Sequence, residues 1–138
     1  MRAYLDSSVL LRRIFGEPGM LAEPSGLEYV ASSEILKIEC FRTLDRMRIS
    51  LKLDDDDISR RSEAVHVALR RIRLIRFTHA VSERAMQPFP TLLRTLDAIH
   101  LSSAILWREK QAPDLAFFTH DSELARAARA MGFPISGA

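Results

Sequence analysis

Short apolar stretches of four or five residues alternate with helix-patterned stretches along the whole chain, and this alternation restricts the fold more than any single residue does. "RAYL" (2–5) is a predicted strand that ends at Asp6, and "SSVLLRRIF" follows it as a helix. "GEPGMLAEPSG" (16–26) concentrates Gly and Pro, which marks a loop. "LEYVA" (27–31) is the second predicted strand, and Ser32 and Ser33 are candidate N-caps for the helix "EILKIECFRTLDRM" (34–47). "DDDDISRRSEAVHVALRRI" (54–72) reads as a third helix, because acids crowd its first turn and bases its last, as the helix dipole favours. "RLIRF" (73–77) is a third strand, with a short helix after it through about Met86. Pro88 and Pro90 break the chain before a helix at 94–110. "LAFFT" (115–119) is a fourth strand, "SELARAARAMG" (122–132) a final helix stopped by Gly132, and "FPIS" (133–136) a candidate fifth strand. Strands alternating with helices in this way imply an α/β fold, a mainly parallel sheet flanked by helices. At 138 residues, with no internal repeat and no dividing linker, one domain over residues 1–138 is expected.

Composition narrows the class. Apolar residues make up 47% and charged residues 28%, which is globular rather than disordered composition. The single cysteine, Cys40, excludes an internal disulfide and fits a reducing compartment; its neighbours Ile38, Phe41 and Leu44 mark it as a small buried hydrophobe. No apolar run approaches the roughly 20 residues that span a membrane, and the charged N-terminus does not read as a signal peptide. A cytoplasmic protein with no membrane association is therefore expected. The formal net charge is only +2, but Lys37, Lys52 and Lys110 are the sole lysines among 20 basic residues, so 17 are arginine. Arginine forks suit phosphate, although codon bias produces the same excess. If four of the 18 acids are sequestered around a cation, 14 face 20 bases, and the outer surface suits a polyanion.

The stretch "RTLDAIHLSSAILW" (94–107) carries an anomaly. Leu101, Ala104, Ile105 and Leu106 set an apolar helical stripe, and Asp97, four before Leu101 and seven before Ala104, points along it. A carboxylate there is costly unless something pairs with it. Glu39 repeats the pattern more mildly, at the edge of a stripe that holds Ile35 and Leu36, whereas Glu34 reads as a dipole-favoured surface acid. Asp6 and Asp121 fall just past the first and fourth strands, where open parallel sheets bind ligands. Each also reads as an N-cap for the helix that follows. Four carboxylates cannot share a pocket ionised without a compensating cation. Hard oxygen ligands without clustered cysteine or histidine indicate Mg²⁺ or Mn²⁺.

Other chemistries lack their residues. There is no phosphate-binding G-x-x-x-x-G-K-[ST] and no G-x-S-x-G elbow. His66, His79, His100 and His120 lack zinc-ligand spacing, and His100, three after Asp97, reads as a packing or hydrogen-bonding residue. The run Asp54 to Asp57 lacks the glycine and late glutamate of a calcium loop and reads as a solvated helix start.

In order, "YLDSSVLL", "EILKIECFRTL", "TLDAIHLSSA" and "FFTHDSELARAARAMGF" resemble the four acidic motifs of PIN-domain ribonucleases, above all the VapC-type toxins of bacterial toxin–antitoxin systems. The resemblance covers nearly the whole chain, and the middle region, from about 50 to 90, carries no matching motif. It places the family's acids on Asp6, Glu39, Asp97 and Asp121, the serine of the first motif on Ser8, and the threonine of the last on Thr119. It implies Mg²⁺- or Mn²⁺-dependent RNA cleavage, a homodimer and inhibition by a cognate antitoxin. On that basis Asp6 and Asp97 are the leading metal ligands, and Glu39 completes the shell or positions a water. Asp121 binds a second cation or orients ligands, while Ser8 and Thr119 steer these groups or a phosphate oxygen. Arg12 and Arg13, one to two turns past Asp6, are candidates for RNA contact, with solvated surface charge as the competing reading.

Two other classes compete. A phosphoacceptor signalling domain needs a lysine after a late strand, and none of the three lysines stands there. A non-catalytic RNA-binding or scaffolding PIN-like domain shares the fold, and intact acids at all four positions argue against it.

Overall fold

The computed structural model describes residues 1–15 and 26–136. In chain order the elements are β1 (Arg2–Leu5), α1 (Ser7–Phe15), β2 (Tyr29–Ser33), α2 (Ile35–Ser50) and α3 (Asp55–Arg70). They continue with β3 (Ile72–Ile75), α4 (His79–Ala85), α5 (Thr95–Lys110), β4 (Ala116–Phe118), α6 (Ser122–Ala130) and β5 (Ile135–Ser136). Five strands form one sheet in the order β3-β2-β1-β4-β5, and every neighbouring pair is parallel. The α/β architecture expected from the sequence is the one found.

Alternation along the strands divides the core in two. Tyr4 and Phe117 point to the side covered by α5 and α6, where they pack with Leu101, Ile105, Leu124 and Phe133. Ala3, Leu5, Ala116 and Phe118 point to the opposite side and pack with Val9, Leu36, Cys40, Val65 and Leu69 from α1, α2 and α3. Leu36, Leu101 and Leu124 are fully buried, and each contributes roughly 1.5–3 kcal/mol by leaving water. Cys40 is likewise buried, and burial, with Glu39 beside it, pushes its thiol up to about 12. It is an inert core residue, as its neighbours in sequence suggested.

Boundaries differ from the sequence expectation in instructive places. β2 runs over 29–33 rather than 27–31, because Ser32 and Ser33 pair with Leu74 and Ile75 of β3. Ser32 is fully buried and donates to Leu5 O at 2.6 Å, so it is a strand residue and not an N-cap. Ser33 Oγ does accept from Ile35 N at 3.2 Å, while Glu34 occupies the cap position and is exposed. α3 ends at Arg70 rather than 72, because Ile72 pairs with Val30 and opens β3 one residue before the expected strand start at 73. Asp54 caps α3 through Asp57 N at 2.8 Å, which makes the acidic run a helix start. α6 stops where Gly132 takes φ +89°, with Phe133 N donating to Ala128 O at 3.1 Å. α5 is buried on more than the one stripe expected: Ala98, His100, Ser102 and Ser103 are buried along with Leu101, Ala104 and Ile105, whereas Leu106 is only half-buried. The expected loop at 16–26 lies outside the described residues except for Gly26, which sits at φ +82° in a turn. Among the described residues no helix is long and apolar enough to cross a membrane.

Candidate active site

The chain steps from β1 outward to β2 and β3, then returns to the other side of β1 to add β4 and β5. The direction of growth therefore reverses between β1 and β4, and in such sheets the crevice beyond the strand ends at the reversal is where ligands bind. Asp6 follows β1 and Thr119 follows β4, so the register Leu5↔Phe118 sets them side by side.

Asp6 is buried, and burial raises its pKa. Three donors work against that rise. Ser8 Oγ donates to Oδ1 at 2.6 Å, Thr119 Oγ1 to Oδ2 at 2.6 Å, and Val9 N to Oδ1 at 3.4 Å. The two hydroxyls also accept: Ser8 Oγ from His120 N at 2.9 Å, and Thr119 Oγ1 from Asp121 N at 3.0 Å. Ser8 and Thr119 thus stitch the end of β1 to the turn after β4, with Asp6 held between them.

Asp121 is half-buried, and its Oδ1 accepts from Glu123 N at 2.9 Å and Leu124 N at 3.0 Å. It is the N-cap of α6, and that cap leaves Oδ2 uncommitted. Asp97 lies in the first turn of α5 and is half-buried. Among the described residues its carboxylate has no hydrogen-bond or ion-pair partner. Burial, then the charges of Asp121 and Asp6, raise it from 3.8 to about 6, with His100 opposing and Glu39 adding a smaller push. Asp97, Asp6 and Asp121 therefore feel one another across the crevice.

Glu39, on α2, is held from two sides. Its Oε1 lies 2.5 Å from His100 Nε2, and its Oε2 accepts from Ser7 Oγ at 3.0 Å. His100 is buried, and its Nδ1 lies 2.7 Å from the Tyr4 hydroxyl. Burial pushes the Tyr4 phenol well above its ordinary range, so it keeps its proton. Tyr4 and Ser7 did not stand out in the sequence. The available signal was alternation: Tyr4 shares a strand face with Asp6, as His100 shares a helix face with Asp97.

Arg12 is half-buried and Arg13 exposed on α1. Arg13 borders a groove of about 880 Å³ between α1 and α3, together with Arg60 and Arg71, and none of the four acids lines it.

Among the described residues, no group of three or more His, Cys, Asp or Glu side chains is arranged as it stands to hold a metal ion. The donor chemistry nevertheless suits a hard divalent cation. Among the described residues Asp97 supplies a carboxylate with no donor, Asp121 an oxygen outside its cap, and Asp6 lone pairs beyond those its donors use. A half-buried carboxylate whose pKa is raised by two others, with no cationic side chain bonded to it among the described residues, is the environment that a cation relieves.

The sequence matches the PIN domain family over residues 3–130. Among solved structures, VapBC2 from Rickettsia felis, bound to a DNA fragment from its promoter, is similar in fold: the TM-score is 0.65 at 13% identity, over 99% of this chain and 98% of that one. No curated protein matches in sequence. The family match spans β1 through α6 and takes in all four acids, so the chain belongs to the PIN domain family.

Proposed function

We propose that this protein is a VapC-type toxin, a Mg²⁺- or Mn²⁺-dependent endoribonuclease that cleaves RNA at the crevice between β1 and β4. The observation that carries this reading is Asp97: half-buried, unpaired among the described residues, and pushed up to about 6 by burial and by the charges of Asp121 and Asp6. Family membership and the likeness to VapBC2 support the toxin class and a cognate antitoxin partner. The reading includes a single PIN domain over 1–138, a cytoplasmic setting and a homodimer.

Asp6 and Asp97 would hold the cation, Asp121 would add an oxygen or a second site, and Glu39 would complete the shell or orient a water. The bound cation supplies a water of lowered pKa and a charge that offsets the one developing on the scissile phosphate. The chain's own residues do the positioning. Ser8 and Thr119 fix the Asp6 carboxylate by donating to one oxygen each. Ser7 Oγ donates to Glu39 Oε2 at 3.0 Å.

Incubating the protein with RNA in Mg²⁺, in Mn²⁺ and in EDTA tests the reading. Cleavage that requires the cation is expected, with Glu34→Gln as active as wild type because Glu34 is exposed. A folded protein that binds RNA but never cleaves it, with either cation, would instead be the non-catalytic RNA-binding or scaffolding domain.

A further inference from the structure

The contact chain Tyr4–His100–Glu39–Ser7 joins β1, α5, α2 and α1, and the reaction as described makes no use of its buried half. A carboxylate oxygen accepts, so in the 2.5 Å contact with Glu39 Oε1 the donor is His100 Nε2. In the Nε2–H tautomer Nδ1 is bare and accepts the Tyr4 O–H at 2.7 Å. Tyr4 is itself fixed: it is fully buried, stacks on Phe117 with ring centroids 5.2 Å apart, and meets the His100 ring edge-on at 5.8 Å. Every rotatable group between the core and Glu39 is therefore held by packing or by a hydrogen bond.

We propose that Tyr4 and His100 are positioning residues for Glu39. Tyr4 selects the Nε2–H form of His100, and His100 together with Ser7 clamps both oxygens of Glu39 in one orientation toward the crevice. Glu39 then meets the cation site as a fixed acceptor, whereas Asp97 is the carboxylate free to adjust. The proposal rests on the metal-nuclease reading and adds to it two residues that lie outside the four acids. Partners that orient a ligating carboxylate or imidazole typically change metal affinity by 10–100-fold when removed.

The test is calorimetric titration of Mn²⁺ into the whole chain as wild type, Tyr4→Phe, His100→Gln, Glu39→Ala and the double variant Tyr4→Phe/Glu39→Ala. Tyr4→Phe keeps the ring and its stacking, so it decides the matter even where His100→Gln fails to fold. Weakening of Mn²⁺ binding by about tenfold is expected in Tyr4→Phe, with no further weakening when it is added to Glu39→Ala. A merely structural tyrosine would lower the melting temperature in EDTA yet leave the Mn²⁺ affinity of the folded protein unchanged. Nitrogen NMR of the His100 ring gives a second readout, with protonated Nε2 expected in wild type and a mixture of tautomers in Tyr4→Phe. Wild-type protein that binds no Mn²⁺ overturns the metal reading and this proposal with it. Wild type that binds Mn²⁺, with Tyr4→Phe equal to it in affinity, overturns the positioning role alone.

Discussion

The hydroxyl of Thr119 donates to Asp6 Oδ2 at 2.6 Å, across 113 residues of sequence. Thr119 Oγ1 in turn accepts from Asp121 N at 3.0 Å, so one buried side chain ties two of the four acids together. Parallel pairing of β1 with β4 makes this contact possible, since the two strands share no hairpin and meet only through the sheet. With the parallel contact through Ser8, this forms a hydrogen-bonded joint at the point where the strand order reverses.

Thr119→Val keeps the shape of that joint and removes its hydroxyl. One oxygen of the buried Asp6 then lacks its short donor, at a cost of about 1–3 kcal/mol. Denaturant melts in EDTA are expected to show that loss, and Thr119→Ser to restore most of it. A Val variant as stable as wild type would mean that the joint contributes nothing.

The stability of the metal-free protein is expected to fall with rising pH through the range in which Asp97 ionises. Its folded pKa is raised from 3.8 to about 6, first by burial and then by Asp121 and Asp6. The folded state therefore holds this proton more tightly than the unfolded chain does. The contribution of Asp97 is harmless below about 4, becomes unfavourable between about 4 and 6, and remains so above. Solvent screening of a half-buried group leaves an effect on the order of 1 kcal/mol. Melting wild type and Asp97→Asn in EDTA from pH 4 to pH 7 isolates it. The advantage of the Asn variant should grow with pH and level off above about 6, and an advantage independent of pH would assign it to something other than charge.

Much of the fold is legible in the sequence alone. Asp6 and Asp121 could be placed because each is the first acid after an apolar strand, and Asp97 because a carboxylate on an apolar stripe is an anomaly at any distance. The shift of β2 was hidden, because Ser32 and Ser33 look like cap residues in sequence. Their burial depends on the Leu5 carbonyl, 27 residues from Ser32, and on pairing with β3. The structure shows Asp121 as an N-cap through one oxygen, and the proposed metal role would use the other. The Tyr4–His100 contact spans 96 residues, and the pairing of Glu39 with His100 spans 61. Local pattern carries no information about which polar groups will meet over such separations; the sheet order decides it.

An antitoxin that works through this crevice should present an arginine or lysine to it, since a basic side chain can take the place of the cation beside Asp97. Saturating such a partner is expected to suppress Mg²⁺-dependent cleavage and to compete with Mn²⁺ in titrations. Suppression without any competition would place the inhibitory contact elsewhere on the surface.

On the proposed reading, Asp97 is an electrostatically unfavourable residue that a cation relieves. The most direct measurement is a set of four melting temperatures, wild type and Asp97→Asn, each in EDTA and in millimolar Mg²⁺. Asp97→Asn should melt above wild type in EDTA, because one of three mutually repelling carboxylates is gone. Mg²⁺ should raise wild type by mass action and raise the variant much less. An Asp97→Asn protein that melts well below wild type in EDTA, and gains as much from Mg²⁺ as wild type does, would contradict the account: Asp97 would then be a structural residue already satisfied within the protein.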